Sequence, residues 1–171
     1  MQSQDNIALV GVLAGMSVVL GYMENFIPTP IPFVRIGLAN IPILIAVMMM
    51  DSKSAISIAV LKSIIIPIVS GNFFVKFIIG LPSSMISTTG MIILFYFLKK
   101  HISAVSVGAL GGYLHIAVQV VLIKLFFIKY LDIYSILPYF SVLGTVTGIF
   151  TGLVTNYIKS KYFEGEKCFR R

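Results

Sequence analysis

Seven polar residues stand at positions where an apolar chain makes polarity expensive: Glu24, Arg35, Asn40, Lys62, Lys76, His115 and Gln119. Lys62 lies near the middle of an apolar run, and Glu24 near the end of another. A charged side chain within a membrane span costs about 2.5–3.5 kcal/mol on insertion scales, so each needs a local reason. Arg35, Lys62 and Lys76, with Lys124 further along, supply positive charge; Glu24, Asn40, His115 and Gln119 supply hydrogen bonds that orient a bound group. Such a set, walled by apolar side chains, suits a small amphipathic carboxylate or phosphate. Plainer roles compete: a Lys62–Glu24 ion pair or snorkelling, an interhelical hydrogen bond from His115 and Gln119, and interfacial anchoring by Lys76, Lys124 and Lys129. His115 and Gln119 are four residues apart on the helical face that carries Gly108 and Gly112, so they are expected to point into a bundle.

Catalytic chemistry finds little support. The chain holds no phosphate-cradling GxxxxGK[ST] segment, no Ser/His/Asp set with workable spacing and no cluster of metal ligands. No catalytic residue, metal or cofactor is therefore expected, and any use of ATP requires another protein. Cys168 stands alone in a polar tail and forms no internal disulfide.

The elements that must carry these residues are membrane helices. The composition is 58% hydrophobic and 11% charged over 171 residues, with a mean hydropathy of +1.00, which excludes a soluble globular class. The apolar runs are continuous and do not alternate with period two, so helices are preferred to a barrel. Spans are read at 7–26, 36–50, 54–71, 73–98, 104–128 and 136–158, the second and third being short. This predicts an all-α membrane protein, a bundle of about six transmembrane helices spanning residues 1–158 with a basic cytoplasmic tail at 159–171. The first run starts too near the N-terminus, and without a basic leader, to resemble a removable signal peptide. The net charge of +7 sits at helix ends, which points to topology and not to nucleic acid. Lys53, Lys99, Lys100, Lys159, Lys161, Lys167, Arg170 and Arg171 share one side, against Arg35, Lys76, Lys124 and Lys129 on the other. Both termini are accordingly expected in the cytoplasm and the protein in the cytoplasmic (plasma) membrane.

Prolines and glycines refine the picture. Pro28-Thr29-Pro30-Ile31-Pro32 reads as an extended outer loop. Pro42 and Pro138 suit helix starts, while Pro67 and Pro82 fall inside apolar runs and are expected to kink or end helices. Gly144, Gly148 and Gly152 recur every fourth residue, as do Gly108 with Gly112 and Gly11 with Gly15. Such spacing lets a neighbouring backbone approach closely; within the bundle for spans five and six, and either within it or against another membrane subunit for span one.

These residues carry a family resemblance. The run GYMENFIPTPIPFVRIGLANIPILIAV (Gly21–Val47) resembles the Gx transporter family, also labelled heptaprenyl diphosphate synthase component I. That pattern places an acid before a proline-rich loop and then a basic-Ile/Leu-Gly-Leu-Ala-Asn block, filled here by Glu24, Arg35, Gly37, Leu38, Ala39 and Asn40. A looser block matches at Gly111, Gly112, His115 and Gln119, with two departures: Ile116 stands where Asn follows the histidine, and Lys62 where Arg is expected. The family in turn looks like the substrate-binding S components of energy-coupling factor (ECF) transporters. The resemblance implies an outer pocket for a small-molecule substrate, gated by the Pro28–Pro32 loop. It also implies docking of an ECF-type coupling protein and its ATPases through Gly11 and Gly15. The alternative is a non-catalytic membrane accessory subunit associated with heptaprenyl diphosphate synthesis or a membrane redox assembly. A catalytic prenyl synthase would need magnesium held by an aspartate-rich DDxxD motif, whereas Asp5, Asp51 and Asp132 are far apart.

Overall fold

A computed structural model of the chain describes residues 2–27, 35–71, 73–98, 102–127 and 133–163. The Pro28–Pro32 segment, Asn72, Lys99, Lys100, Lys129, Cys168 and the basic residues after 163 lie outside them. Among the described residues all regular structure is helical: α1 (Gln2–Met23), α2 (Ile41–Met49), α3 (Ser52–Val69), α4 (Phe73–Leu98), α5 (Ala104–Phe126) and α6 (Ile133–Phe163). A 3-10 turn, Glu24–Phe26, continues α1, and another, Leu38–Asn40, leads into α2.

Five of these helices are long and apolar enough to cross a membrane, and the sixth is not. The apolar run at 36–50, read as a full span, resolves into a non-helical stretch at 35–37, the 3-10 turn and the nine-residue α2. Nine residues rise only about 14 Å, half of a hydrocarbon core of about 30 Å. The physical reason is its surroundings: every residue from Ile41 to Val47 is buried, so α2 faces protein on all sides. A helix apolar around its whole circumference belongs in such an interior position. It touches α1, α3, α4, α5 and α6 and forms the central post of the bundle. Pro42 stands in its first turn, where the missing N–H is no loss.

The surrounding helices pack on this post through Leu13 and Ala14 of α1, Ala55, Ile58 and Ala59 of α3, Met91 and Phe95 of α4 and Val107 of α5. A second apolar cluster at the other end joins Ile79, Ile116, Val120, Ile123 and Phe140. Helix α3 starts at Asp51, whose carboxylate accepts from the backbone N–H of Lys53 (3.1 Å) and Ser54 (3.3 Å). Ser103 caps α5 in the same way through Ser106. Pro67 and Pro82 lie inside α3 and α4. Pro138 also lies inside its helix, because α6 begins at Ile133 and not beside the proline; α6 then continues to Phe163.

Glycines decide which helices touch most closely. A Cβ added at Gly112 would run into the carbonyl oxygen of Gly144 and stand 2.8 Å from Gly148 Cα; one at Gly152 would stand 2.5 Å from Val105 Cα. Gly108 and Gly148 are as tightly opposed, so α5 and α6 meet backbone to backbone. Gly11 and Gly15 differ: a Cβ at either would meet nothing within 4 Å. They lie on an open face of α1 beside exposed Val12, Met16 and Val19.

Candidate functional site

Residues 35–37, just ahead of the 3-10 turn that leads into α2, are non-helical at membrane depth. Lys62 and Gln119 each lie seven residues before the ends of their helices, which is about 10 Å below them, and His115 about 16 Å. Irregular backbone at that depth persists only where protein groups satisfy it. Residues 35–40, Arg-Ile-Gly-Leu-Ala-Asn, are satisfied from four helices. The Arg35 N–H donates to Gln119 Oε1 of α5 at 2.7 Å. The Ile36 carbonyl accepts from Thr147 Oγ1 of α6 at 3.0 Å. The Ala39 N–H donates to Glu24 Oε1 at 2.9 Å and its carbonyl accepts from Ser17 Oγ of α1 at 3.0 Å. Asn40 Oδ1 accepts from Lys62 Nζ of α3 at 2.5 Å. Gly37 sits among them at φ +100°, left-handed backbone that favours glycine.

These bonds fix the polarity of the site. A backbone N–H only donates, so Gln119 must turn Oε1 to Arg35 and its amide nitrogen to His115, 2.8 Å away. His115 Nε2 therefore accepts, the ring is neutral, and its proton is on Nδ1. An ammonium also only donates, so Asn40 turns Oδ1 to Lys62 and leaves Nδ2 free. Asn40 Nδ2 and Arg35 Nη2 are buried with no partner. His115 Nδ1 makes no well-formed hydrogen bond either, though the Ser83 backbone is close to the imidazole. The Glu24 carboxylate is within the electrostatic reach of both Lys62 and Arg35.

Glu24, Arg35, Ala39, Lys62, Ser63, Ile66, Gly80, His115 and Gln119 line one small cavity. Its free interior takes about one water molecule, so a ligand of more than a few atoms must displace part of the wall. Six of the seven residues singled out in the sequence thus come together, Asn40 through its bond to Lys62. Lys76 lies outside the lining; its ammonium donates to Asn25 Oδ1 at 3.0 Å near the surface. Lys124 is outside the lining too. The sequence reading missed Ser17 and Thr147, which hold the backbone of Ala39 and Ile36. For Ser17 a signal existed: it shares a helical face with Glu24, seven residues on. Among the described residues no three His, Cys, Asp or Glu side chains gather as a metal site would require.

Five apolar spans around a buried half-helix, with a polar cavity at the half-helix's start, define a polytopic membrane protein with an internal polar site. The family model described as heptaprenyl diphosphate synthase component I matches residues 13–158, and the chain belongs to that family. No curated protein and no solved structure matches it. The description names a component of a synthase, and an aspartate-rich motif for a catalytic subunit is missing from the sequence.

Proposed function

We propose that the protein is the substrate-capture subunit of an ATP-driven uptake system of the energy-coupling-factor type, binding a small anionic or amphipathic molecule in the outer half of the cytoplasmic membrane. The observation that carries this reading is the pair of buried donors without partners, Arg35 Nη2 in the lining of the cavity and Nδ2 of Asn40, which holds the lining Lys62, at the start of the half-helix α2. Buried polar groups are ordinarily satisfied, and an exception calls for an explanation, which a bound group supplies where the exception borders a cavity. Transporters commonly form their sites where a helix is interrupted at membrane depth, because freed backbone and side-chain groups face the cargo there. In this reading Arg35 and Lys62 attract the anion, Glu24, Asn40, His115 and Gln119 orient it, and Lys76 acts at the rim. Both termini are cytoplasmic, the unit 1–158 holds the cargo, and 159–171 is a basic tail. The chain carries no nucleotide motif, so a coupling protein and ATPases supply the work, docking on α1 where Gly11 and Gly15 leave the backbone open.

The family description favours a second reading, a membrane accessory subunit of a prenyl diphosphate synthase with no cargo of its own. Native mass spectrometry of the tagged protein, extracted gently from its own host, separates the two. Co-purified ATPases with a small membrane protein, or a bound small molecule lost in Lys62→Ala at normal expression, supports capture. A ligand-free chain carrying a prenyltransferase or redox subunit overturns it.

A further inference from the structure

We infer that the group held at this cavity is an oxyanion of single negative charge, a carboxylate or a comparable monoanion, and not a diphosphate. The inference rests on the capture reading for its biological meaning but on the site's hydrogen bonds for its chemistry. Four side-chain acceptors of the site each already hold a donor of the protein: Glu24 Oε1 holds Ala39, Asn40 Oδ1 holds Lys62, Gln119 Oε1 holds Arg35 and His115 Nε2 holds Gln119. Two buried side-chain donors of the site have no partner, Arg35 Nη2 in the cavity lining and Nδ2 of Asn40, the residue that holds Lys62. An incoming group that accepts from these donors completes the site, whereas an ammonium or other pure donor leaves them unpaired.

Charge then sets the valence. By residue type the lining carries two basic side chains, Arg35 and Lys62, and one acidic one, Glu24, a formal excess of one positive charge. Burying an unbalanced charge in a low-dielectric setting is strongly unfavourable, so one negative charge closes the balance. A diphosphate brings several negative charges and ordinarily arrives with magnesium, a hard cation that needs carboxylate oxygens. The single carboxylate here is committed to the Ala39 N–H. The planar guanidinium of Arg35 is also the donor best matched to a carboxylate edge.

The test uses the full chain in nanodiscs of phosphatidylcholine, with ligand-induced thermal stabilisation read at constant ionic strength. The probes are formate, acetate and propionate, their neutral analogue acetamide, methylammonium, and magnesium-free inorganic pyrophosphate. A parallel nanodisc containing phosphatidylglycerol distinguishes a monoanionic lipid headgroup from a free anion, since lipid occupancy pre-empts the acetate shift. Carboxylates are expected to stabilise the protein while acetamide, methylammonium and pyrophosphate do not. Arg35→Gln should weaken the acetate response by about ten- to a hundredfold, the worth of a hydrogen bond to a charged group. Glu24→Gln, which keeps an acceptor for Ala39 and raises the site to two positive charges, should let pyrophosphate act. Equal stabilisation by acetamide, a stronger response to pyrophosphate than to acetate in the unmodified chain, or no response to any anion overturns the inference. A ligand-free chain co-purifying with a prenyltransferase or redox subunit would sink the capture reading alone and leave these titrations unchanged.

Discussion

The α5–α6 contact makes a sharp prediction because two glycine-to-alanine changes with the same helix propensity should move stability in opposite directions. Alanine gains up to about 1 kcal/mol over glycine in a helix. At Gly11 the added Cβ meets nothing within 4 Å, so Gly11→Ala keeps that gain. At Gly112 the Cβ collides with the Gly144 carbonyl and stands 2.8 Å from Gly148 Cα and 2.9 Å from its nitrogen. Carbon atoms rest about 3.5–4.0 Å apart, so the helices must separate by about 1 Å. The obstacles are backbone atoms, which cannot rotate away as a side chain can. Overpacking of this sort costs about 1–3 kcal/mol, and the upper end applies because the separation also loosens Gly108 against Gly148. Set against the propensity gain, Gly112→Ala should lose about 2 kcal/mol, which places the variants about 3 kcal/mol apart. For a chain of this size that is a gap of about 6–12 °C in melting temperature, measurable by circular dichroism in one detergent. Variants melting within a degree or two of each other, or Gly112→Ala melting higher, would refute the close approach.

Further outcomes follow from the broken segment and the caps. Glu24→Leu and Glu24→Gln both remove the carboxylate, but only Glu24→Leu also strands the Ala39 N–H at membrane depth, so it should be less stable than Glu24→Gln by about 1–3 kcal/mol; equal losses would show that charge and not the hydrogen bond matters. Gly37→Ala forces a Cβ onto backbone at φ +100° and should cost about 1–3 kcal/mol, with accelerated hydrogen exchange at Ala39 as its local signature. The Ser54 hydroxyl, against the opposing effect of burial and helped by the backbone N–H groups of Ser54 and Lys53, holds the Asp51 carboxyl below the ordinary carboxylate range. A lowered pKa means that the cap's contribution is complete above that range and disappears as pH falls through the folded value. Asp51→Ala should therefore lower stability by about 0.5–2 kcal/mol at neutral pH, and the difference from the unmodified chain should shrink on acidification.

Hydropathy made the spans legible because a bilayer imposes a length on every lipid-facing helix. It could not separate α2 from them, since residues 41–47 are as apolar against protein as they would be against lipid. Length was the available clue: the run at 36–50 is short for a span, and Arg35 and Asn40 flank its start. The site was legible for the complementary reason that polarity at membrane depth is costly, which exposed Glu24, Arg35, Asn40, Lys62, His115 and Gln119 without any coordinates. Serine and threonine carry no such signal, because their hydroxyls ordinarily return to their own helix, as Ser63 does to Ala59 and Thr145 to Ser141. Only the fold shows that Ser17 reaches to Ala39, and that Thr147, shared with the Gly144 carbonyl of its own helix, reaches to Ile36. Lys76 resembled a pocket cation by type, but it stands in the first turn of α4, at the height of Asn25 and outside the lining.

The same side chains hold the broken backbone and line the cavity, and that economy has a mechanical consequence. Glu24, Lys62 and Gln119 each spend one hydrogen bond on residues 35–40 while facing the cavity. A ligand that recruits any of them draws on the support of the segment that begins α2. Beyond that segment α2 is held by apolar contacts from Ile41 to Val47, which have no directional preference and allow small sliding. At its far end follow Met48, Met49 and Met50, half-buried and flexible, and then the Asp51 cap of α3. The glycine-locked α5 and α6 cannot separate without opening backbone contacts, so they form the fixed wall against which any such displacement of α2 is measured.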